Sequence, residues 1–149
     1  MAHPSATARG PLVPSDRAAI AEILRTSRRI AVVGLSPKPE RPSHGVAAYL
    51  QRAGYTIIPV RPTGTTILGE PVHSNLRGAA AAGPIDIVDV FRRSEYVQAL
   101  LDDLLAIRPR LVWLQVGIRD DPTAQRLEAD GIPVVMDRCL AVDHQFLGG

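Results

Sequence analysis

Basic side chains recur directly after short apolar segments of this 149-residue chain. Seven of the seventeen Lys and Arg residues lie at such places: Lys38, Arg41, Arg61, Arg92, Arg93, Arg119 and Arg138. Guanidinium groups suit phosphate because their planar fork can donate two parallel hydrogen bonds. If the apolar segments end at one common edge, the pattern predicts a ligand with several phosphate groups. The alternative is that part of this set is solvated or paired with carboxylates.

The elements that would position these side chains alternate along the chain. Apolar, β-branched runs predict strands over residues 30–33, 55–60, 85–90, 111–116 and 133–136. Helical spacing predicts helices over 15–26, 44–54, 75–82, from 94 to before Pro109, and from about 121 to 131. Ser15, Ser43, Ser94 and Asp121 are the expected N-caps. This alternation predicts a single doubly wound, Rossmann-like α/β domain, with a parallel sheet of about five strands and helices on both faces.

Ligands of open parallel sheets bind outside the carboxyl ends of the strands. The first strand is followed by Gly34, the residue type best able to bring backbone close to a ligand, and by a polar loop that leads to Ser43. The N–H groups of the next helix and its dipole would favour an anion there. This arrangement predicts a phosphate site, although a first strand-to-helix turn without a ligand has the same appearance.

The glycine spacing narrows the choice of nucleotide. No G-x-G-x-x-G follows the first strand, since the next glycine after Gly34 is Gly45, and no G-x-x-x-x-G-K-[ST] occurs. The second strand ends in Arg61, where NAD sites place an acidic residue. An arginine there suits a ribose phosphate, which both NADP and coenzyme A carry. The missing glycines weigh against NADP.

Six segments together resemble one known family: GLSPKPERPSHGVAAYL, IIPVRP, ILGEPV, DIVDVFRRSE, VWLQVGI and VVMDRC. In this order, over residues 29–144, they are similar to small bacterial CoA-binding proteins. These proteins resemble the CoA-binding domain of the succinyl-CoA synthetase alpha subunit standing alone. The resemblance implies a Rossmann-like domain, cytoplasmic, that binds coenzyme A or an acyl-CoA.

The resemblance also implies a set of binding residues. Gly34, Ser36 and the loop through Arg41 and Ser43 would hold the pyrophosphate region, Val60, Arg61 and Pro62 would lie beside the adenine and ribose, and Phe91 and Arg92 would close over the nucleotide. Leu35 and Lys38 belong to the same loop, and His44, at the start of the following helix, could contact phosphate or be a structural or exposed histidine; these three complete the candidate set. Family members often carry Asn before the proline, so Arg61 is a departure. Its phosphate role is inferred from its chemistry.

Side chains for catalysis are harder to identify. Asp86 and Asp89 have odd spacing and fall on opposite faces of a strand, so each is expected to cap or to pair with an arginine. The four histidines are scattered, and together with one cysteine they show no metal-ligand spacing. Cys139 follows Arg138, a cation that could stabilise a thiolate able to form a mixed disulfide with coenzyme A. The alternative for Cys139 is an inert, buried thiol.

Net charge, apolar runs and cysteine content argue against several classes of protein. A net charge of +2 gives no argument for nucleic acid, and no apolar run reaches the roughly 18 residues of a membrane span. One cysteine fits a reducing compartment.

Residues 1–14 are interpreted as a flexible leader and residues 15–149 as the CoA-binding domain. We expect a non-catalytic or regulatory CoA-binding module. The alternatives are a small NADP-linked oxidoreductase or CoA-ligase-type component, and an oligomeric module, for example a homodimer, with the nucleotide as effector.

Overall fold

The computed structural model describes residues 14–147 and is built on a five-stranded parallel sheet. Its strands are β1 (Arg29–Val33), β2 (Thr56–Val60), β5 (Ile87–Val90), β6 (Leu111–Leu114) and β7 (Val134–Val135), and two short strands, β3 (Thr66–Ile67) and β4 (Glu70–Pro71), pair antiparallel beside it. The order in the main sheet is β2-β1-β5-β6-β7. The predicted α/β, Rossmann-like fold is confirmed. The predicted leader lies outside the described residues, except that Pro14 already belongs to the first helix.

Within residues 14–147, six α-helices cover the two faces of this sheet. They are α1 (Pro14–Thr26), α2 (Pro42–Arg52), α3 (Leu76–Ala81), α4 (Leu101–Ile107), α5 (Asp121–Ala129) and α6 (Leu140–Leu147). Alternate residues of each strand face opposite sides, so every strand contributes to two apolar layers. On one side Leu24, Leu50 and Leu140 bring α1, α2 and α6 against the sheet. On the other side Leu76, Leu104 and Leu127 do the same for α3, α4 and α5.

Pro59 lies inside β2, and the edge position of that strand explains why it is tolerated. The Thr56 N–H donates to the Arg28 carbonyl at 2.8 Å, and the Val60 carbonyl accepts from Gly34 at 2.9 Å. Hydrogen-bonding direction alternates along a strand, so Pro59 turns its missing N–H away from β1. Its carbonyl accepts from the His73 N–H at 2.9 Å, which partly covers the open edge.

Three predicted helix caps are wrong, and two of them are serines. Arg41 is the N-cap of α2, with Pro42 at the first position, while the Ser43 hydroxyl accepts from the Ser36 N–H. Ser94 accepts from the Arg119 N–H at 2.9 Å, and the segment after it forms two 3-10 turns (Ser94–Tyr96 and Gln98–Leu100) before α4 begins. The serines bond to neighbouring loops, an option that short hydroxyl side chains always have.

The cap of α5 lies one residue earlier than predicted. Asp120, and not Asp121, accepts from the Thr123 N–H at 3.2 Å. Asn75 caps α3 by accepting from the Gly78 N–H at 2.8 Å, at the start of the predicted alanine-rich helix. Residues 120 and 121 are both aspartates, and the loop geometry decides which of them caps the helix.

Helix α6 was not predicted from the sequence. Two of its polar side chains, Asp143 and His144, are buried. Arg138 donates to both carboxylate oxygens of Asp143, at 2.5 and 2.9 Å, and these bonds raise the pKa of Arg138. Burial lowers the pKa of His144, whose Nδ1 shares a 2.8 Å hydrogen bond with the Tyr49 hydroxyl. These two polar side chains are buried through contacts with other parts of the chain. The segment therefore lacks the apolar periodicity that would have predicted a helix.

Candidate functional site

Gly34, the first residue after β1, holds the backbone at a position that only glycine occupies easily. Its φ is +86°, in the left-handed region. A Cβ there would lie 2.8 Å from the carbonyl oxygen of Phe91. The chain after β1 therefore passes directly against the chain after β5, and the two loops form one surface at the carboxyl edge of the sheet.

The loop between β1 and α2 is folded onto itself through two serines. The Ser43 hydroxyl accepts from the Ser36 N–H at 3.0 Å, and the Ser36 hydroxyl accepts from the Lys38 N–H at 3.1 Å. Each hydroxyl keeps its own O–H as a donor. Pro37, Pro39 and Pro42 have no N–H. An anion at this loop would consequently be held by side chains more than by backbone amides.

Arg61, the first residue after β2, reaches the same loop. Its Nη1 donates to the carbonyl of Leu35 at 3.3 Å. Its Nε is enclosed and has no hydrogen-bond partner among residues 14–147. A guanidinium carries five N–H donors, so most of the donor capacity of Arg61 is uncommitted within the described chain.

The seven basic residues of the strand ends divide into two groups. Arg119 pairs with Asp121 at 3.0 Å, and Arg138 pairs with Asp143. Within the described residues, no carboxylate lies at ion-pair distance from the other five: Lys38, Arg41, Arg61, Arg92 and Arg93. Arg92 and Arg93 lie 5.5 and 5.4 Å from the ring centre of Tyr96. The uncompensated positive charge therefore concentrates at the ends of β1, β2 and β5.

A cavity of about 700 Å³ opens beyond the ends of β5 and β6. Its wall is largely apolar, with three charged residues, Arg92, Arg93 and Glu95, and two polar ones, Ser94 and Gln115. Its other lining residues are Pro42, Val46, Phe91, Val116, Gly117, Ile118 and Cys139. This volume is typical of pockets for small organic molecules.

Behind this cavity lies a buried carboxyl group. Asp89 is in the middle of β5, between Val32 of β1 and Trp113 of β6, and is fully buried. Burial raises the pKa of Asp89 to about 7, and a hydrogen bond from Gln115 opposes that rise. Gln115 Nε2 donates to Asp89 Oδ1 at 2.6 Å, while Oδ2 has no partner within the described chain.

The sequence predicted that Asp86 and Asp89 would each cap or pair with an arginine, and for Asp89 this prediction is wrong. Asp86 instead accepts from two backbone N–H groups, those of Arg28 and Arg29.

Cys139 is on the cavity wall and is partly exposed. Its backbone is held on both sides: the Trp113 Nε1 donates to the Arg138 carbonyl at 2.8 Å, and the Cys139 carbonyl accepts from the Asp143 N–H at 3.0 Å. The ion pair with Asp143 engages Arg138, the cation expected to act on the thiol.

The structure brings most of the candidate residues to one sheet edge but gives them different exposures. Leu35 and Val60 are buried, so neither presents its side chain to a ligand. Phe91 and Arg92 line the cavity. The remaining candidates lie in the loops after β1 and β2 or in the first turn of α2: Gly34, Ser36, Lys38, Arg41, Ser43, His44, Arg61 and Pro62. Their contact with a ligand stays a prediction.

Several cavity residues were not among the candidates. Pro42 and Val46 come from α2, and Val116 and Ile118 from the loop after β6. Gln115 could have been found, because it is a polar residue directly after a buried strand, at the sheet edge where ligands of parallel sheets bind. The apolar residues carry no such signal, since their alignment depends on how the loops fold.

Among residues 14–147, no group of three or more His, Cys, Asp and Glu side chains is arranged to hold a metal ion. None of the helices described for this stretch is both long and apolar enough to span a bilayer.

Comparison with known proteins identifies relatives along nearly the whole chain. The family model described as "CoA binding domain" matches residues 28–145. The Bacillus subtilis (strain 168) protein named "Uncharacterized protein YneT" is 45% identical over 129 residues, which are 87% of this chain and 94% of that one.

Solved structures agree with this match. "The structure of cell-free ID.343 from Thermus thermophilus" is 41% identical with a TM-score of 0.83, covering 88% of this chain and 98% of that one. A "hypothetical protein from Pyrococcus horikoshii OT3" is 28% identical with a TM-score of 0.82, covering 88% and 91%. By the match over residues 28–145, this chain belongs to the CoA-binding domain family.

Proposed function

We propose that this protein binds coenzyme A or an acyl-CoA across the carboxyl ends of β1, β2, β5 and β6, as a non-catalytic or regulatory module. One observation carries the proposal: a cluster of cations that have no carboxylate partner within residues 14–147 lies beside a largely apolar cavity of about 700 Å³. Coenzyme A has the same division, with phosphates at one end and an uncharged pantetheine arm at the other. The family match supports this ligand class.

The phosphate end would lie against the loop between β1 and α2. Lys38 and Arg41 are exposed there, and Arg61 contacts the same loop from β2. The hydroxyls of Ser36 and Ser43 supply additional O–H donors. Arg61 would bind the ribose phosphate, and the pyrophosphate would lie between the loop and the start of α2.

The uncharged end would extend into the cavity after β5 and β6. Phe91 and Ile118 give its wall apolar character, and Arg92 lies where the phosphate and cavity regions meet. Binding is the activity that this wall supports, since its polar groups are a few side chains placed among apolar ones. Location in the cytoplasm, a single domain and homodimerisation remain parts of the proposal.

Ligand-induced stabilisation tests the proposal. A ligand that binds only the folded state raises its stability by RT ln(1 + [L]/Kd), so 100 Kd of ligand adds about 2.7 kcal/mol. We expect coenzyme A to raise the melting temperature more than NADPH or ATP at equal concentration. A larger rise with NADPH would favour the oxidoreductase alternative. No rise with coenzyme A at millimolar concentration would reject the proposal.

A further inference from the structure

We propose that Gln115 recognises a hydrogen-bond donor on the pantetheine arm of the ligand, and that Asp89 is the positioning residue that orients the Gln115 amide. The inference rests on the proposed function and deepens it. It assigns a specificity-determining residue to the part of the ligand that lies in the cavity.

The backbone of Gln115 is fixed at the end of β6. Its N–H donates to the Val90 carbonyl at 3.2 Å, and its carbonyl accepts from the Ile118 N–H at 2.9 Å. The residue is only 3% exposed, yet it contributes to the cavity wall. Its side chain therefore lies between the buried Asp89 and the cavity.

The hydrogen bond to Asp89 decides which end of the amide faces the ligand. Gln115 Nε2 donates to Asp89 Oδ1 at 2.6 Å. When Asp89 is protonated, the proton belongs on Oδ2, which has no partner among residues 14–147, so Oδ1 is an acceptor in both protonation states. The amide nitrogen therefore faces Oδ1 and the amide oxygen faces away. Gln115 Oε1 has no hydrogen-bond partner among residues 14–147. Asp89 Oδ2 is an enclosed atom without a partner, whereas Gln115 Oε1 is not fully enclosed. The cavity thus has an oriented acceptor in a largely apolar wall.

The chemistry of the pantetheine arm matches an acceptor. The arm carries two amide N–H groups and a hydroxyl, and free coenzyme A adds a thiol. The adenosine and phosphate end would not reach this position if it lies at the loop between β1 and α2. One such hydrogen bond contributes about 1 kcal/mol, which corresponds to a change of roughly fivefold to tenfold in affinity.

Calorimetry with two ligands tests the role of Gln115. Coenzyme A is compared with adenosine 3′,5′-bisphosphate, which lacks the arm. We expect Gln115→Leu to weaken coenzyme A by roughly fivefold to tenfold and to leave the bisphosphate unchanged. Gln51→Leu is the matched control, because the Gln51 amide donates to the Leu68 carbonyl outside the cavity. Equal losses for both ligands, or no loss, would overturn the inference. Absence of binding by either ligand to the wild type would reject the proposed function itself.

A double-mutant cycle tests the role of Asp89. In Asp89→Asn the new amide can either accept from or donate to Gln115, so the orientation is no longer fixed. We expect roughly a twofold to fivefold loss of coenzyme A affinity, and no further loss when the change is made in Gln115→Leu. A loss that persists in the Gln115→Leu background would show that Asp89 acts independently of Gln115, contrary to the inference.

The wild-type protein gives a test that does not depend on the folding of variants. Cys139 is the single cysteine of the chain and lines the same cavity. Acetyl-CoA, which has no free thiol to consume the reagent, should slow alkylation of Cys139 by iodoacetamide at least severalfold at saturation. Adenosine 3′,5′-bisphosphate should leave the rate unchanged. Equal alkylation rates with and without saturating acetyl-CoA would place the arm elsewhere and overturn the inference.

Discussion

The buried carboxyl group of Asp89 affects both the stability of the protein and its cavity. An isolated ionised group is costly in a protein interior, and only one hydrogen bond, from Gln115, compensates Asp89 within residues 14–147. Hydrophobic residues of the same face surround this position, including Val32 and Trp113. The odd spacing predicted that Asp86 and Asp89 lie on opposite faces, but it did not predict that the partner of Asp89 is an amide directly after the neighbouring strand β6.

The pKa of Asp89 predicts that stability falls as pH rises towards neutral. Burial raises this pKa from its ordinary 3.8 to about 7. Between these values the folded protein holds a proton that the unfolded chain has lost, so the stabilisation is complete below pH 4 and is lost as pH rises through 7. We expect the free energy of unfolding, relative to Asp89→Asn, to decrease by on the order of 2–3 kcal/mol from pH 5 to pH 8.

Urea unfolding at the two pH values measures this difference. Asp102→Asn makes the same chemical change at an exposed position of α4 and controls for the substitution. An unchanged difference between wild type and Asp89→Asn at pH 5 and pH 8 would show that Asp89 is ionised throughout this range.

Arg61 allows a test of the phosphate that distinguishes coenzyme A from its dephosphorylated form. We expect Arg61→Ala to weaken coenzyme A by roughly tenfold to a hundredfold, because charge-assisted hydrogen bonds contribute about 1.5–3 kcal/mol. Loss of the contact between Arg61 and Leu35 would affect the binding of both ligands equally. Loss of the phosphate contact would affect coenzyme A alone, so dephospho-CoA should lose much less affinity. The measurement is calorimetry with both ligands, and Arg52→Ala, at the exposed end of α2, is the control. Equal losses would remove Arg61 from the ribose phosphate.

At the scale of elements, the loop between β1 and α2 depends on one glycine. We expect Gly34→Ala to lower the free energy of unfolding by about 1–3 kcal/mol, because a side chain at positive φ is strained and its Cβ would meet the Phe91 carbonyl. Coenzyme A affinity should fall as well, since the two loops would separate.

Gly45→Ala is the matched control for this substitution in a denaturation experiment. Gly45 lies within α2, where nothing is within 4 Å of an added Cβ, and alanine favours the helix by about 1 kcal/mol. We expect this variant to be as stable as the wild type or more so. A Gly34→Ala protein with wild-type stability would contradict the close approach of the two loops.

Apolar strands and helix-forming segments were predictable because their periodicity reflects burial directly. The segment after β5 was less predictable. Its apolar spacing predicted one helix from Ser94, but α4 begins at Leu101 after two 3-10 turns. Helix α6 escaped prediction because Asp143 and His144 resemble exposed residues. Asp143 is buried against Arg138, which precedes the helix, and His144 against Tyr49, which is distant in sequence. Contacts of this kind cannot be deduced from local sequence.

At the scale of the whole molecule, the sheet brings two unlike regions to one edge. Parallel strands β1, β2, β5 and β6 all end there, so cations from separate loops and an apolar cavity become neighbours. The sequence predicted the edge and its charge through the residues after each strand. The cavity could not be predicted, because α2 and the loop after β6 form its walls only when folded.

Calorimetric titration of coenzyme A into the full-length protein tests the central claim most directly. We expect saturable binding to one site per chain with a dissociation constant below millimolar, weakened by Arg61→Ala. Heat signals that do not saturate, or a dissociation constant above millimolar, would contradict coenzyme A binding at this sheet edge.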